Sequence, residues 1–423
     1  MTRATKDSGV EWIGQIPERW HLTRIAGLYN LRNTKVSDKD FPALSVTNKG
    51  ILPQLETAAK TNAGDNRKLV CIGDFAINSR SDRRGSCGIS PYNGSVSLIN
   101  LVLTPRNKTI PKYFDWLFHT VQFADEFYRW GHGIVDDLWS TGWEEMKKIL
   151  VPLPPLPEQQ AIADYLDDKC AQIDNITATI NEQIEVLKQY KKSIITEAVT
   201  KGLDPNSPMK DSGVEWIGQI PEHWKVVRLK YLAAFNPPIN NVDLNKEISY
   251  MPMECLKNGY MIPHTKLFAD LVNGLTGFYE GDIVMAKVTP CFENGNIAIA
   301  QNLVNNIGYG STEIYVFRCN KILTKFLFYY LQNELFKNKA KSTMMGTGGL
   351  KRVSSQFTKN LSVLFPPLSE QQAIADYLDD KCTKIDAVIA DKHAQLETLA
   401  AYKKSLIYEY VTGKKSVPGF EEA

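Results

Sequence analysis

Residues 154–170 read PPLPEQQAIADYLDDKC and residues 366–382 read PPLSEQQAIADYLDDKC, identical at 16 of 17 positions and displaced by 212. A repeat of this fidelity fixes the organisation before any single element is assigned, because the chain must hold two copies of one unit. Upstream, DSGVEWIGQIPERW at 7–20 recurs as DSGVEWIGQIPEHW at 211–224, identical at 13 of 14 positions and displaced by 204. The tracts between these blocks, 133 residues at 21–153 and 141 at 225–365, resemble each other only thinly. Near-identical joints imply one shared job, and divergent bodies imply two different targets.

Downstream of each block the pattern is helical. From Pro157 to about Lys201 there is no glycine and no internal proline. Ile173, Ile180, Leu187 and Ile194 recur at steps of seven, with Ile176, Ile184 and Tyr190 on the adjacent stripe. Some 40 residues at ~1.5 Å each span about 60 Å, longer than a usual globular-domain helix. The second copy repeats the stripe with Ile385, Val388, Ile389, Leu396, Leu399, Tyr402 and Leu406, weaker where Lys392 and His393 fall. Ser369 with Gln372 reads as a capping box, and Pro157 suits a first turn. Each stripe is too long for its own body to cover. The two helices are therefore expected to pack on each other, through Ile173, Ile180, Leu187 and Ile194 on one and Ile385, Ile389, Leu396, Leu399 and Leu406 on the other. Two copies of one unit related by a pseudo-two-fold would place these helices antiparallel, with the bodies at opposite ends. The alternative is two unrelated core helices.

The bodies read as mixed α/β (α+β), with strands at 281–286, 297–301 and 312–318 and helical stretches at 111–129 and 322–340. Gly73-Asp74-Phe75-Ala76-Ile77 answers Gly281-Asp282-Ile283-Val284-Met285, each a turn feeding a strand and then a polar loop with cations. The chain thus divides into a first body at 1–153, a long helix at 154–203, a linker at 204–210, a second body at 211–365, a second long helix at 366–413 and a tail at 414–423.

Composition sets the outer limits. A length of 423 residues fits two to four domains, and 43% hydrophobic residues is ordinary for folded protein. Lys plus Arg number 49 against 47 Asp plus Glu, a net charge of +2, so any nucleic-acid role must rest on local charge. No apolar run approaches the ~18 residues of a membrane span, and the start lacks an apolar signal core, so a cytoplasmic chain without a membrane partner is expected. Seven widely spaced cysteines without a C-x-x-C disfavour a disulfide framework and a zinc site.

Local charge is present. Arg80-Ser81-Asp82-Arg83-Arg84-Gly85 is the densest cationic loop, and Lys287 falls in the matching region of the second body. GHGIVDDLWS at 131–140 and GTGGLKRVSS at 346–355 occupy similar places ahead of the PPL blocks. Glycines beside Lys351 and Arg352 could bring a cation close to a phosphate or a base edge. The candidate DNA contacts are Arg80, Arg83, Arg84, Lys287, Lys351 and Arg352. The rival reading of each loop is solvated surface.

The PPL-x-EQQ-x-IA-x-YLD block opening a long helix, repeated once, with GD-hydrophobic strands inside divergent bodies, resembles the specificity subunit of type I restriction-modification enzymes. The resemblance covers practically the whole chain. It implies two target-recognition domains, 1–153 and 211–365, each reading one half of a bipartite asymmetric site in double-stranded DNA. It implies antiparallel helices that set the untouched spacer and dock modification subunits carrying S-adenosylmethionine, which methylate adenine N6. It also implies ATP-driven restriction subunits that use Mg, with no cofactor and no chemistry on this chain.

Catalytic readings of the residues are weak. Asn236-Pro237-Pro238-Ile239 resembles the N-P-P-aromatic motif of adenine methyltransferases, but Ile stands at the stacking position and no F-x-G-x-G loop is present. Asp136 or Asp137 with Glu145-Met146-Lys147 has nuclease residue types, although Glu144 to Lys148 reads better as an amphipathic turn. Gly346-Thr347-Gly348-Gly349 lacks the G-K-[ST] of a P-loop, and the six histidines show no paired spacing. Trp12, Trp20, Trp216 and Trp224 are expected to anchor each body rather than stack on bases, since readers of different half-sites would differ. The rival functions are a stand-alone duplicated methyltransferase or nuclease and a protein scaffold without DNA contact.

Overall fold

The computed structural model describes residues 3–54, 64–106, 109–133, 139–240, 242–271, 274–347 and 349–420. The chain forms two compact units, Met1–Ile180 with His393–Ala423, and Asn181–Lys392.

In the first unit, β1 (Tyr29–Arg32), β2 (Phe75–Asn78), β3 (Cys87–Ile89) and β4 (Asn100–Pro105) form an antiparallel sheet in the order β3-β2-β4-β1. Its central strands are continuous apolar runs because both faces are covered. Phe75, Ile77, Leu101 and Leu103 face α1 (Pro111–Phe118) and α2 (Val121–Arg129), while Ala76 and Val102 face a second layer built on Leu44, Ile51, Val70 and Val96. The helical stretch expected at 111–129 is two helices. Thr120 breaks it, its hydroxyl donating to Leu117 O at 2.7 Å and accepting from Phe123 N at 3.2 Å as the cap of α2. The second layer carries a three-stranded sheet of Lys35–Val36, Arg67–Val70 and Gly94–Val96, and a hairpin of Leu44–Thr47 with Gly50–Pro53. The helix α3 (Leu156–Lys201) starts here.

In the second unit, α4 (Thr324–Tyr330) and α5 (Glu334–Ser342) cover a sheet of β5 (Ala233–Phe235), β6 (Ile283–Ala286), β7 (Ile297–Ile299) and β8 (Ile314–Cys319). Its order, β7-β6-β8-β5, is that of the first unit. The break between α4 and α5 is again a cap, with Asn333 Oδ1 accepting from Phe336 N at 2.8 Å. The second layer differs. Here it is a four-stranded sheet, His264–Leu267, Glu247–Met251, Ile307–Gly310 and Thr276–Tyr279, packed through Met251 and Phe278 on Val284, Ala286, Ala298 and Val316. The difference in strand topology between the bodies lies in this layer.

The second long helix, α6, spans Leu368–Val411. Each long helix gives one part to each unit, so the stretches 154–203 and 366–413 are shared between compact bodies rather than freestanding. Within the first unit, Ile173, Ile180 and Leu406 are buried, Leu399 packs on the same core, and Leu396 is half-buried. Tyr165 stacks beside Tyr410 at 4.6 Å, and Lys403 Nζ reaches Asp174 Oδ1 at 2.6 Å. Within the second unit, Ile194 and Ile385 are buried, Leu187 and Ile389 pack against them, and Lys191 Nζ reaches Asp386 Oδ2 at 2.6 Å. Lys392 Nζ donates to Gln183 Oε1 at 2.6 Å. In each unit positions rise along α3 as they fall along α6, so the helices are antiparallel. The seam is the narrow stripe of a coiled coil. Ile184 lies in it, whereas Ile176, Tyr190, Val388 and Tyr402 are exposed at 45–51%.

Two local expectations are corrected. The helix begins at Leu368, ahead of Ser369, and Gln372 Nε2 donates onward to Asp376 Oδ1 at 2.8 Å instead of closing a capping box. The linker 204–210 ends in structure, since Met209–Asp211 pairs antiparallel with Gln219–Pro221, as Thr5–Asp7 pairs with Gln15–Pro17.

Candidate nucleic-acid interface

The repeated blocks form a brace. Trp20 Nε1 donates to Glu158 Oε2 at 2.9 Å, and Trp224 Nε1 donates to Glu370 Oε2 at 2.8 Å. Both indoles are wholly buried, which removes them as surfaces for bases and makes them anchors. The next residue, Gln159, accepts from Ile110 N at 2.9 Å and donates to Pro154 O, and Gln371 does the same with Leu323 N and Pro366 O. Ile110 and Leu323 are the N-caps of α1 and α4, so the glutamines tie those helices to the long ones. Asp167 receives Trp116 Nε1 at 2.8 Å, and Asp379 receives Tyr329 OH at 2.7 Å. EQQ and YLDD are therefore a docking motif for each body.

The GD turns aim the next loop. Buried Asp74 accepts from Arg32 Nε at 2.7 Å and NH2 at 3.1 Å and from Cys71 N, and buried Asp282 accepts from Arg318 at 2.9 and 2.7 Å and from Tyr279 N. These bidentate bonds fix the entries to β2 and β6. After each strand the chain pairs with the glycine-rich turn. In the first unit Arg80 and His132 both bridge to Ser140, Ser81 N donates to Trp139 O at 3.1 Å, and Tyr128 OH donates to Arg80 O at 2.7 Å. In the second unit Val288 and Met345 both bridge to Arg352, Val353 N donates to Lys287 O at 2.9 Å, and Tyr315 OH donates to Val353 O at 2.7 Å. The same weave thus presents cations in both units.

The six candidate cations differ in freedom. Arg80 and Lys351 are exposed, and Lys351 N is held by Thr289 Oγ1 at 3.0 Å. Arg83 is exposed beside Asp82 at 3.5 Å, and Arg84 pairs with Asp125 while lying 5.6 Å from the Tyr128 ring centre. Lys287 Nζ lies 5.2 Å over the Tyr315 ring. Arg352 grips Glu313 through Nε at 2.8 Å and NH2 at 2.8 Å, and its hydrogen bonds hold that carboxyl below the ordinary glutamate range. The weave and the acid partners Asp125 and Glu313 were missed by sequence reasoning. Glu313 lies 39 residues from Arg352, and no local pattern links them.

Two residues of the catalytic look-alikes, Asn236 and Lys147, have structural partners. Asn236 Oδ1 accepts from Val316 N at 2.8 Å and its own N donates to Val316 O at 2.8 Å, at φ 45°, so its amide oxygen serves a turn. Lys147 pairs with Glu144 on a short polar turn. Asp136, Asp137 and Gly348 lie outside the described residues. All seven cysteines are free thiols, and burial pushes Cys170 and Cys382 up to about 11. Among the described residues no group of three or more His, Cys, Asp or Glu could hold a metal, and no helix is long and apolar enough to cross a membrane.

Two copies of one α/β unit, with a repeated brace, a divergent second layer and cations woven onto a glycine turn, define a duplicated recognition module. The chain belongs to the family described as the type I restriction modification DNA specificity domain, which matches it twice, at residues 17–186 and 221–398. It is 28% identical over 436 residues to the type I restriction enzyme MjaVIII specificity subunit of Methanocaldococcus jannaschii, covering 95% of this chain and 94% of that one. It is 33% identical over 195 residues to the EcoEI specificity subunit of Escherichia coli, a match spanning 43% of this chain and 33% of that relative. Its fold is shared with a chain solved in work on complex assembly and conformational transition of the type I R-M system, at TM-score 0.72 and 15% identity over 95% of this chain and 99% of that one. It is shared as well with the HsdS subunit from Thermoanaerobacter tengcongensis, at TM-score 0.54 and 16% identity over 95% and 98%.

Proposed function

We propose that this chain is the DNA-reading subunit of a type I restriction-modification complex, each unit reading one half of a bipartite asymmetric site in double-stranded DNA. The observation that carries the reading is the repeat of a near-identical brace in two units with different second layers, each unit presenting a cationic weave. Arg80, Arg83 and Arg84 in the first unit and Lys287, Lys351 and Arg352 in the second are the proposed contacts. Exposed Arg80 and Lys351 supply phosphate contacts first, and Arg84 and Arg352 exchange their carboxylates for DNA.

The chain itself is non-catalytic in this reading. S-adenosylmethionine, ATP and Mg act in modification and restriction subunits, and methylation falls on adenine N6. The exposed pair Ile176 and Tyr402 in the first unit, and Tyr190 with Val388 in the second, are the proposed docking points for modification subunits. A cytoplasmic location follows from partners that act on the cell's own DNA.

Sequencing of methylated adenines in the source cell, with and without this gene, tests the proposal. A gene-dependent bipartite asymmetric motif supports it, and replacing 21–153 with another member's body should change one half of that motif alone. Methyl transfer by the purified chain, or binding indifferent to salt, would instead support an enzyme or a protein scaffold.

A further inference from the structure

The duplicated joint differs between units at one residue, Arg19 against His223, and this difference sits on the carboxylate of the brace. In the first unit Glu158 receives Trp20, Arg19 at 3.5 Å and, on Oε1 at 2.6 Å, the guanidinium of Arg3, which also lies 5.3 Å from the Trp20 ring centre. Arg3 covers the carboxylate so completely that Glu158 is 4% exposed.

Strand register identifies the counterpart of Arg3. Thr5 pairs with Pro17 and Met209 pairs with Pro221, so the residue two before each strand is Arg3 in the first unit and Ser207 in the second. Ser207 offers Glu370 no cation. That carboxylate receives Trp224 Nε1 at 2.8 Å and His223 Nε2 at 2.6 Å, and its side chain is 40% exposed. Where Arg3 sits in the first unit, the second has a cavity of about 290 Å³ lined by Ser207, His223, Glu370, Asp204, Lys201 and Ile374 among others. Glu370 and Asp204 line it together with Lys201 and with His223, which already pairs with Glu370. An ionised carboxylate accepts about four hydrogen bonds, and Glu370 has acceptor positions left for a further donor.

We propose that this cavity is an acceptor site for a guanidinium group, an arginine side chain supplied by another protein chain, which would complete in the second unit the contact that Arg3 makes internally in the first. The chemistry is a charge-assisted pair with Glu370, and planar guanidinium suits it better than ammonium. The site stands on the brace and not on the DNA-facing weave, so it is independent of the function proposed above.

The full chain, labelled at its indole nitrogens, is titrated at fixed ionic strength with N-acetylargininamide, free arginine and N-acetyllysinamide, following the Trp224 indole signal assigned with Trp224→Phe. A saturable shift with the arginine compounds and none with the lysine compound is expected. A response stronger for the blocked arginine assigns a protein side chain, and one stronger for free arginine assigns a small molecule at the same site. Glu370→Gln keeps the indole acceptor and should abolish the shift. Ser207→Arg supplies the guanidinium from within and should both abolish the shift and raise the thermal midpoint. Absence of a saturable shift, an equal shift with the lysine compound, or a shift that survives in Ser207→Arg overturns the proposal.

Discussion

Trp20 donates its indole hydrogen to Glu158 at 2.9 Å across 138 residues of sequence, and the carboxylate that receives it also holds Arg3. Removing a buried carboxylate leaves its cation and its indole unsatisfied, at a cost of roughly 3–5 kcal/mol. Glu158→Ala should therefore cost several-fold more stability than Glu370→Ala, whose carboxylate is 40% exposed and bonded to a single imidazole besides the indole. Urea denaturation of each variant checks the ranking, and equal losses would refute it.

Arg32 and Asp74 predict a second asymmetry of effect. Asp74 is 2% exposed and takes both guanidinium bonds, so Arg32→Met strands a buried charge and should cost about 3 kcal/mol. Arg32→Met with Asp74→Asn should recover part of that loss, because two neutral groups carry no unpaired charge. A double-mutant cycle in urea measures the coupling, and additivity would show the pair to be idle.

The two long helices were legible because a period of seven without glycine or proline has few other solutions, and their antiparallel packing because a duplicated unit is most simply arranged about a pseudo-two-fold. The weave was legible only as two matching regions. That Arg80 meets Ser140, and Val288 meets Arg352, depends on strands too short to carry a pattern. The work of EQQ was hidden for a related reason. Gln159 satisfies a cap 49 residues away and Gln371 one 48 residues away, and a side-chain bond of that span leaves no periodicity. The break at Thr120 was readable in principle, as a capping residue inside an apolar stretch.

Glu313 and Arg352 give a pH dependence. Arg352 depresses the carboxyl in the folded chain, so the unfolded chain binds its proton more readily. The pair's stabilising contribution is then full above the ordinary glutamate value near 4.3 and fades as pH falls through the lower folded value. At neutral pH the pair also occupies the arginine. Glu313→Gln should free Arg352, tighten DNA binding and steepen the salt dependence by about one unit of slope, read from binding isotherms across salt concentrations.

Arg80 is exposed in the first weave. Arg80→Ala should weaken binding to all sequences alike, with a salt slope about one unit shallower, if it contacts phosphate. If it reads a base, discrimination at one position of the first half-site should fall by about 1–3 kcal/mol while the second half is untouched. Competition binding against single-base variants separates the two, and an unchanged slope with unchanged discrimination removes Arg80 from the interface.

The helices as ruler make the last prediction. The pairs Lys403–Asp174 and Lys191–Asp386 are one contact repeated, once in each unit, and each fixes the local register of α3 against α6. Seven residues inserted into both helices between these layers preserve both contacts and keep the seam on one face, because a heptad is close to two full turns. The added length is about 10 Å, or up to roughly three base pairs at 3.4 Å each. Methylation mapping in cells carrying the lengthened chain should find the same half-sites with a longer spacer. The same spacer would mean that something other than the helices sets the distance.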